Sequence, residues 1–189
     1  MRLDHDSEEA LEATLDLVNS DDRRTGVDTL TSLEAVGEFL DRHQVSGTRA
    51  GTEAELRAVR RLRGRLRSVF AAAAADDRAT VVAELNDLIA DARAVPYLVE
   101  HDGNPLHLHF TPPDAPVHPR IGAEMAICLA SVVRDGGYDR LRVCDSTDCR
   151  RVLVDLSRNR SRRYCDTQCG NRRHVAAYRE RRARDSAPG

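Results

Sequence analysis

The sequence predicts a mainly α fold with one small β-hairpin, an α+β chain that ends in a compact cysteine-bearing module. Three observations carry that prediction. Apolar residues recur at helical spacing through most of the first 135 residues. Within AVPYLVEHDGNPLHLHF, residues 94–110, the period shortens to that of strands. Beyond Gly136 and Gly137 the composition changes, with four of the five cysteines and 14 of the 29 arginines falling between Arg140 and Arg184.

The elements follow in order. Residues 7–18 set Leu11, Leu15 and Val18 on one face, with Ser7 as the expected cap and Glu8 and Glu9 in the first turn, where the helix dipole favours acids. Residues 31–43 repeat the pattern through Leu33, Val36 and Leu40. Thr52 to Glu55 reads as a capping box that opens a long helix through Leu56, Val59, Leu66 and Phe70. Its arginines, Arg57, Arg60, Arg61, Arg63, Arg65 and Arg67, read mostly as a wet face. A fourth helix, about residues 78–92, offers Val82, Leu85, Leu88 and Ile89. Two short strands then flank the turn signal Asp102-Gly103-Asn104. The proline-rich TPPDAPVHP is expected to be a non-helical connector, because proline removes donors and fixes φ. Ile121, Met125, Cys128, Leu129 and Val132 line a last helix that stops at Gly136 and Gly137. That glycine pair divides the chain into a helical domain, residues 1–137, and a cysteine module, residues 138–184, with a disordered tail at 185–189.

A length of 189 residues suits one ordinary domain plus a small appendage. No run approaches the roughly 18 to 20 apolar residues that cross a bilayer. The acidic start MRLDHDSEE also lacks the blocks of a signal peptide. The expectation is a cytoplasmic protein with no membrane partner. In a reducing cytosol, clustered cysteines are metal ligands more often than disulfides.

Four residues separate Cys144 from Cys149, fifteen separate Cys149 from Cys165, and three separate Cys165 from Cys169. Two close pairs at this distance are the ligand arithmetic of one structural zinc ion, whose four thiolates leave no position open for water. The segment holds too few large apolar residues to fold unaided, whereas a structural zinc contributes about 10 to 16 kcal/mol of apparent binding energy. RVLVDL has strand character, and the second pair sits where a helix begins. The expected arrangement is treble-clef-like: a knuckle, a hairpin, then a helix whose first turn supplies Cys165 and Cys169. Rival readings keep the four as reduced thiols or disulfides, or put His174 in place of one thiolate. Cys128 reads as core. His101, His107 and His109 read either as exposed hairpin residues or as a second metal site, since His107 and His109 leave one strand on the same side.

The net charge of −2 is a sum of unlike parts: residues 140–184 carry 14 arginines against 5 acids, +9, and the remainder carries 15 against 26, −11. Such asymmetry points to a polyanion meeting one module. Arg158, Arg160, Arg162 and Arg163 precede Cys165, while Arg172, Arg173, Arg179 and Arg182 follow Cys169 on the expected helix. All eight are candidate contacts to nucleic-acid phosphates. Val175 and Tyr178 fall on the adjacent helix face and are expected to pack inward. Each assignment has a structural rival. Arg172 can brace the fold through Asp155 or a carbonyl, Asn171 can cap, and 158–163 can be a solvated loop. In LDLVNS, Asp16 and Asn19 can face a ligand, or Asn19 can simply end its helix.

VCDSTDCRRVLVDLSRNRSRRY followed by CDTQCGNRRHVAAYRERR resembles the CGNR zinc finger, named for the tetrad that is here Cys169, Gly170, Asn171 and Arg172. LDLVNS, the arginine-rich long helix and the hairpin resemble the ABATE domain that precedes this finger. The resemblance implies a bacterial stress-induced transcription regulator with a DNA-binding finger. The expectation adds to the structural zinc ion double-stranded DNA as partner, a small-molecule effector whose binding residues are unknown, and a homodimer as one assembly. Two other readings make the finger a protein-interaction or dimerisation module, or an RNA binder. The shortage of aromatics on the finger, Tyr164 and Tyr178, argues against base stacking. With no nucleophile and base pair, phosphate loop or open metal position, the sequence does not read as an enzyme.

Overall fold

The computed structural model describes residues 4–100, 106–173, 175 and 182. Helices α1 (His5–Asn19), α2 (Leu33–Arg42), α3 (Glu53–Ala74), α4 (Arg78–Asp91) and α5 (Val117–Val132) surround one core, and residues 167–173 form α6. Three antiparallel pairs complete the described residues: β1 (Asp21–Asp22) with β2 (Val27–Asp28), β3 (Tyr97–Val99) with β4 (His107–His109), and β5 (Leu141–Val143) with β6 (Val152–Val154). The expected turn at Asp102-Gly103-Asn104 and the tail at 185–189 lie outside the described residues.

The helix starts are made by side chains that accept from orphan amides. Asp4 caps α1 by accepting from the Ser7 amide at 2.8 Å, so Ser7 is a donor inside the first turn and not the cap expected of it. Ser32 caps α2, and Thr52 caps α3 through the Glu55 amide. Glu55 closes that corner by accepting from the amides of Ala50 and Gly51. Helix α5 takes in Val117 to Pro119 of the connector expected to be non-helical, because a proline in the first turn gives up no intrahelical bond; the helical run continuing past it breaks at Gly136, at φ +76°, and Gly137, where a Cβ would lie 2.6 Å from the Val132 carbonyl oxygen.

Helix α3 runs through the centre, with Val59, Leu66, Val69 and Phe70 fully buried. Arg57, Arg60 and Arg61 are exposed, as expected of a wet face, but Arg63 and Arg67 depart from it. Arg63 is buried and forks onto the Asp28 carboxylate at 2.6 and 2.8 Å, while Arg67 donates to the carbonyls of Val18, Asp21 and Arg150. These guanidiniums tie α3 to the chain that leaves α1. On α4 the buried valine is Val81 and Val82 is exposed, one position away from the face expected.

The β5–β6 hairpin belongs to the same body. Leu141, Val152 and Val154 join the buried cluster of the helices, while Leu153 turns the other way, onto Cys144, Cys149 and Cys169. Strand β6 is therefore buried on both faces. Its free edge meets Asn19, the last residue of α1, whose side-chain amide donates to the Val152 carbonyl at 3.0 Å and accepts from the Val152 amide at 2.8 Å. One side chain thus does the work of a neighbouring strand.

Candidate metal centre

Cys144 and Cys149 flank the turn between β5 and β6, where Cys144 donates its amide to the Arg151 carbonyl and Cys149 donates to that of Ser146. Cys165 lies just before α6. Asp166 caps that helix, accepting from the Cys169 amide at 2.7 Å, which fixes Cys169 in the first turn facing back toward the hairpin. Only Cys169 is thus a helical ligand, because the Asp166 cap falls between the pair. The hairpin's own turn is the knuckle.

The four sulfur atoms lie within 4.8 Å of one another, with Cys149 to Cys165 at 3.7 Å and Cys165 to Cys169 at 3.6 Å. Four sulfurs about 2.3 Å from a central ion stand about 3.8 Å apart in a tetrahedron, whereas a disulfide needs about 2.05 Å. All four are free thiols, three of them buried. Burial pushes Cys165 above the ordinary thiol range and Cys169 up to about 11. The sulfur geometry is that of a shared ion, and the four cysteines fit one structural zinc site. Arg172 donates from Nη2 to the Cys169 sulfur at 2.8 Å, so it braces the fold through a ligand and not through Asp155 or a carbonyl. The tetrad's Gly170 lies against the Tyr164 ring.

The arginine-rich loop before Cys165 is folded around Asp155, which is fully buried. Its carboxylate accepts from the Ser157 amide and hydroxyl and from the Arg162 amide, at 2.9, 2.5 and 2.8 Å. Burial works to raise this carboxyl, and the donors together hold it below the usual carboxylate range. Buried Arg140 donates to the Asp155 and Ser157 carbonyls, and Arg142 donates to those of Arg160 and Arg162. Of the candidate contacts, Arg160 pairs with Asp139, Arg163 with Asp145, and Arg162 donates to the Tyr164 and Cys165 carbonyls; all three remain exposed. Arg158 is exposed and makes no hydrogen bond or ion pair with a described residue. Arg173 and Arg182 are exposed, whereas Arg179, Tyr178 and His174 lie outside the described residues. Val175 is 48% exposed, so the inward packing expected of it does not occur among the described residues.

A family model for ABATE, described as "Putative stress-induced transcription regulator", matches residues 11–136, and one for the CGNR zinc finger matches residues 140–182. The first alone covers two thirds of the 189 residues. The chain belongs to the ABATE family. No curated protein matches it. Neither the ABATE nor the CGNR description names an enzyme. No helix among the described residues is long and apolar enough to cross a membrane.

The ABATE domain has a cavity of about 380 Å³ between the first half of α1, the β3–β4 hairpin and α5. Ala13, Phe110, Ile121 and Met125 give it apolar walls, and Arg120, Glu124, His107 and His109 supply its polar groups. Arg120 is buried and donates from Nη1 to the Thr48, Pro113 and Ala115 carbonyls, while its Nη2 has no partner among the described residues. Burial pushes Glu124 up to about 7 against the pull of Arg120 and His107. Cys128 is buried on α5 as expected, its thiol donating to the Ser7 carbonyl at 3.2 Å. A smaller polar cleft of about 220 Å³, lined by Asp16, Asn19 and Arg151 among others, lies where α1 meets the finger. The sequence pointed at Asn19 but not at its partner, since nothing local links it to Val152.

Proposed function

We propose that this ABATE-family chain is a zinc-dependent, DNA-binding transcription regulator in the cytoplasm. Residues 1–137 sense a small molecule or stress signal, and the finger, residues 138–184, docks on the phosphate backbone of duplex DNA. The observation that carries the reading is the +9 charge of residues 140–184, part of it on a loop and helix, residues 155–173, that Asp155, Asp166 and the cysteine cluster hold in place. Fixing the polar backbone this way means that Arg158, Arg160, Arg162, Arg163, Arg172 and Arg173 meet the partner as a preset array, so less ordering entropy opposes binding, with Arg179 and Arg182 as further contacts of the same reading. Arg172 contributes field more than contact, because Nη2 is committed to Cys169. The sensing domain acts by shifting finger orientation or dimer geometry.

The test is fluorescence anisotropy of a labelled duplex over a salt series. With some six phosphates neutralised, log affinity should fall against log salt with a slope of about −5. Arg158→Ala combined with Arg182→Ala should flatten that slope by about 2, one for each lost contact. Binding that ignores both salt and substitution would leave the finger as a protein-interaction or dimerisation module. Preference for single-stranded RNA over the duplex would make it an RNA binder.

A further inference from the structure

We propose that the cavity beneath the β3–β4 hairpin is the effector site and that its ligand is an organic cation, a protonated amine on a small apolar body, with the Glu124 carboxylate as its counter-ion. The volume of about 380 Å³ suits a small molecule. Beside the apolar walls already described, Leu98, Leu106 and Leu108 line the cavity from the hairpin and stay exposed. Apolar surface left in water there is what a hydrocarbon body would cover. Glu124 reaches the cavity from α5 and makes no hydrogen bond with a described residue. A carboxylate taken partly out of water without a donor is costly, and an ammonium supplies both the opposite charge and the donors.

The remaining polar groups select the sign of the ligand. Asp4, Asp6 and Glu9 line the cavity from the start of α1 and are exposed, whereas Arg120 is the one arginine among the described lining residues. Its guanidinium is engaged elsewhere, with Nη1 committed to three carbonyls and Nη2 buried. Asp4 caps α1, which answers the positive end of that helix. His107 and His109 hydrogen-bond ring to ring, Nε2 to Nε2 at 3.1 Å. One of those nitrogens must accept, so the pair carries at most one positive charge. Among the described residues only the four finger cysteines gather three or more metal-ligating atoms, so the histidine pair is not a second metal site, and His101 lies outside the described residues. A field dominated by carboxylates draws cations and repels anions. Burial raises Glu124 to about 7, while Arg120 on α5 and His107 on β4 pull it down and Asp6 on α1 pushes it up. An ammonium partner therefore favours the ionised carboxylate near neutral pH. As an effector site the cavity rests on the sensor reading for its purpose, but its ligand is measured without DNA.

The zinc-loaded full chain is titrated by calorimetry with isopentylamine, isopentanol and isocaproate, which set an ammonium, a hydroxyl and a carboxylate on one branched hydrocarbon. A ligand of this size reaches a Kd of about 1 mM, so the titration runs to about 10 mM. The amine should bind at least about tenfold more tightly than the alcohol, the worth of one charge-assisted hydrogen bond, and isocaproate should bind least. Amine affinity should rise about tenfold from about pH 6 to about pH 8 as Glu124 ionises, while that of the alcohol moves little. Glu124→Gln should bring the amine down to the affinity of the alcohol and flatten the pH profile. Absence of amine binding to the wild type overturns the proposal, as does equal or tighter binding of either other probe. So does a wild-type profile flat in pH, or an amine affinity that Glu124→Gln leaves intact; should that variant fail to fold, the ranking of the three probes and the wild-type profile decide. Amine binding with no DNA binding would sink the regulator reading and leave this site standing.

Discussion

Replacing Asn19 by alanine tests how the finger is joined to the helical domain. The side chain makes two hydrogen bonds, of 2.8 and 3.0 Å, to the main chain of Val152, a residue 2% exposed. Each such bond is worth about 1 kcal/mol net, and a buried amide or carbonyl left without a partner costs about 1 to 3 kcal/mol. Asn19→Ala removes both partners at once, so the expected loss is about 2 to 4 kcal/mol after partial rescue by water. Against a typical domain stability of about 5 to 15 kcal/mol, that is a large share. Urea unfolding of the zinc-loaded protein should show it as a midpoint lowered by about 1 to 2 M at an unchanged slope. The Val152 amide should exchange its hydrogen faster than in the wild type. Asn19→Gly separates the rival role, because a residue that merely ends a helix tolerates glycine. A loss below about 0.5 kcal/mol for Asn19→Ala, with Val152 exchange unaltered, would refute the latch.

Two further outcomes follow from other parts of the molecule. Chelation of the metal should strip hydrogen-exchange protection from residues 144–150 and 164–173 while Val152 and Val154 stay protected, because the helical core holds one face of β6 without the ion; uniform loss across the hairpin would contradict that division. The Arg63 hydrogen bond holds the Asp28 carboxyl down from 3.8 to about 2, against burial that works to raise it. A folded value below the unfolded one stabilises the fold at pH above the unfolded value and is lost as pH falls through the folded one. The Asp28 contribution, about 2 kcal/mol, is therefore complete at neutral pH and fades from about pH 4 to about pH 2. Thermal melts should show Asp28→Asn less stable than wild type by about that amount at pH 7, with the gap closing over the acid range.

Local arithmetic is what a chain displays openly. The spacing of Cys144, Cys149, Cys165 and Cys169 announced a tetrahedral set because each pair is formed within one turn. The Gly136 and Gly137 stop was readable for the same reason, since a positive φ and a crowded Cβ are properties of the residue itself. Adjacent alternatives were harder. Asp4 and Ser7 are both good caps, and Val81 and Val82 both sit near one face, so a shift of a few residues changes little in the pattern. Partnerships across long stretches were not legible at all. Arg63 finds Asp28 and Arg67 finds Val18 across 35 and 49 residues, and a guanidinium read by itself looks like surface. The module was likewise expected to depend on the ion alone, and only packing shows that Leu141, Val152 and Val154 lean on the helices.

Helix α1 begins beside the cavity, where Asp4 to Ala13 help to form the wall, and ends 15 residues later at the edge of β6. An α-helix of that length is a strut of about 22 Å, stiff along its axis. A tilt at the cavity end is therefore delivered to the zinc-bearing hairpin directly, bypassing the glycine joint. On the proposed sensing role, variants deaf to the signal should then collect along the strut and its two seats.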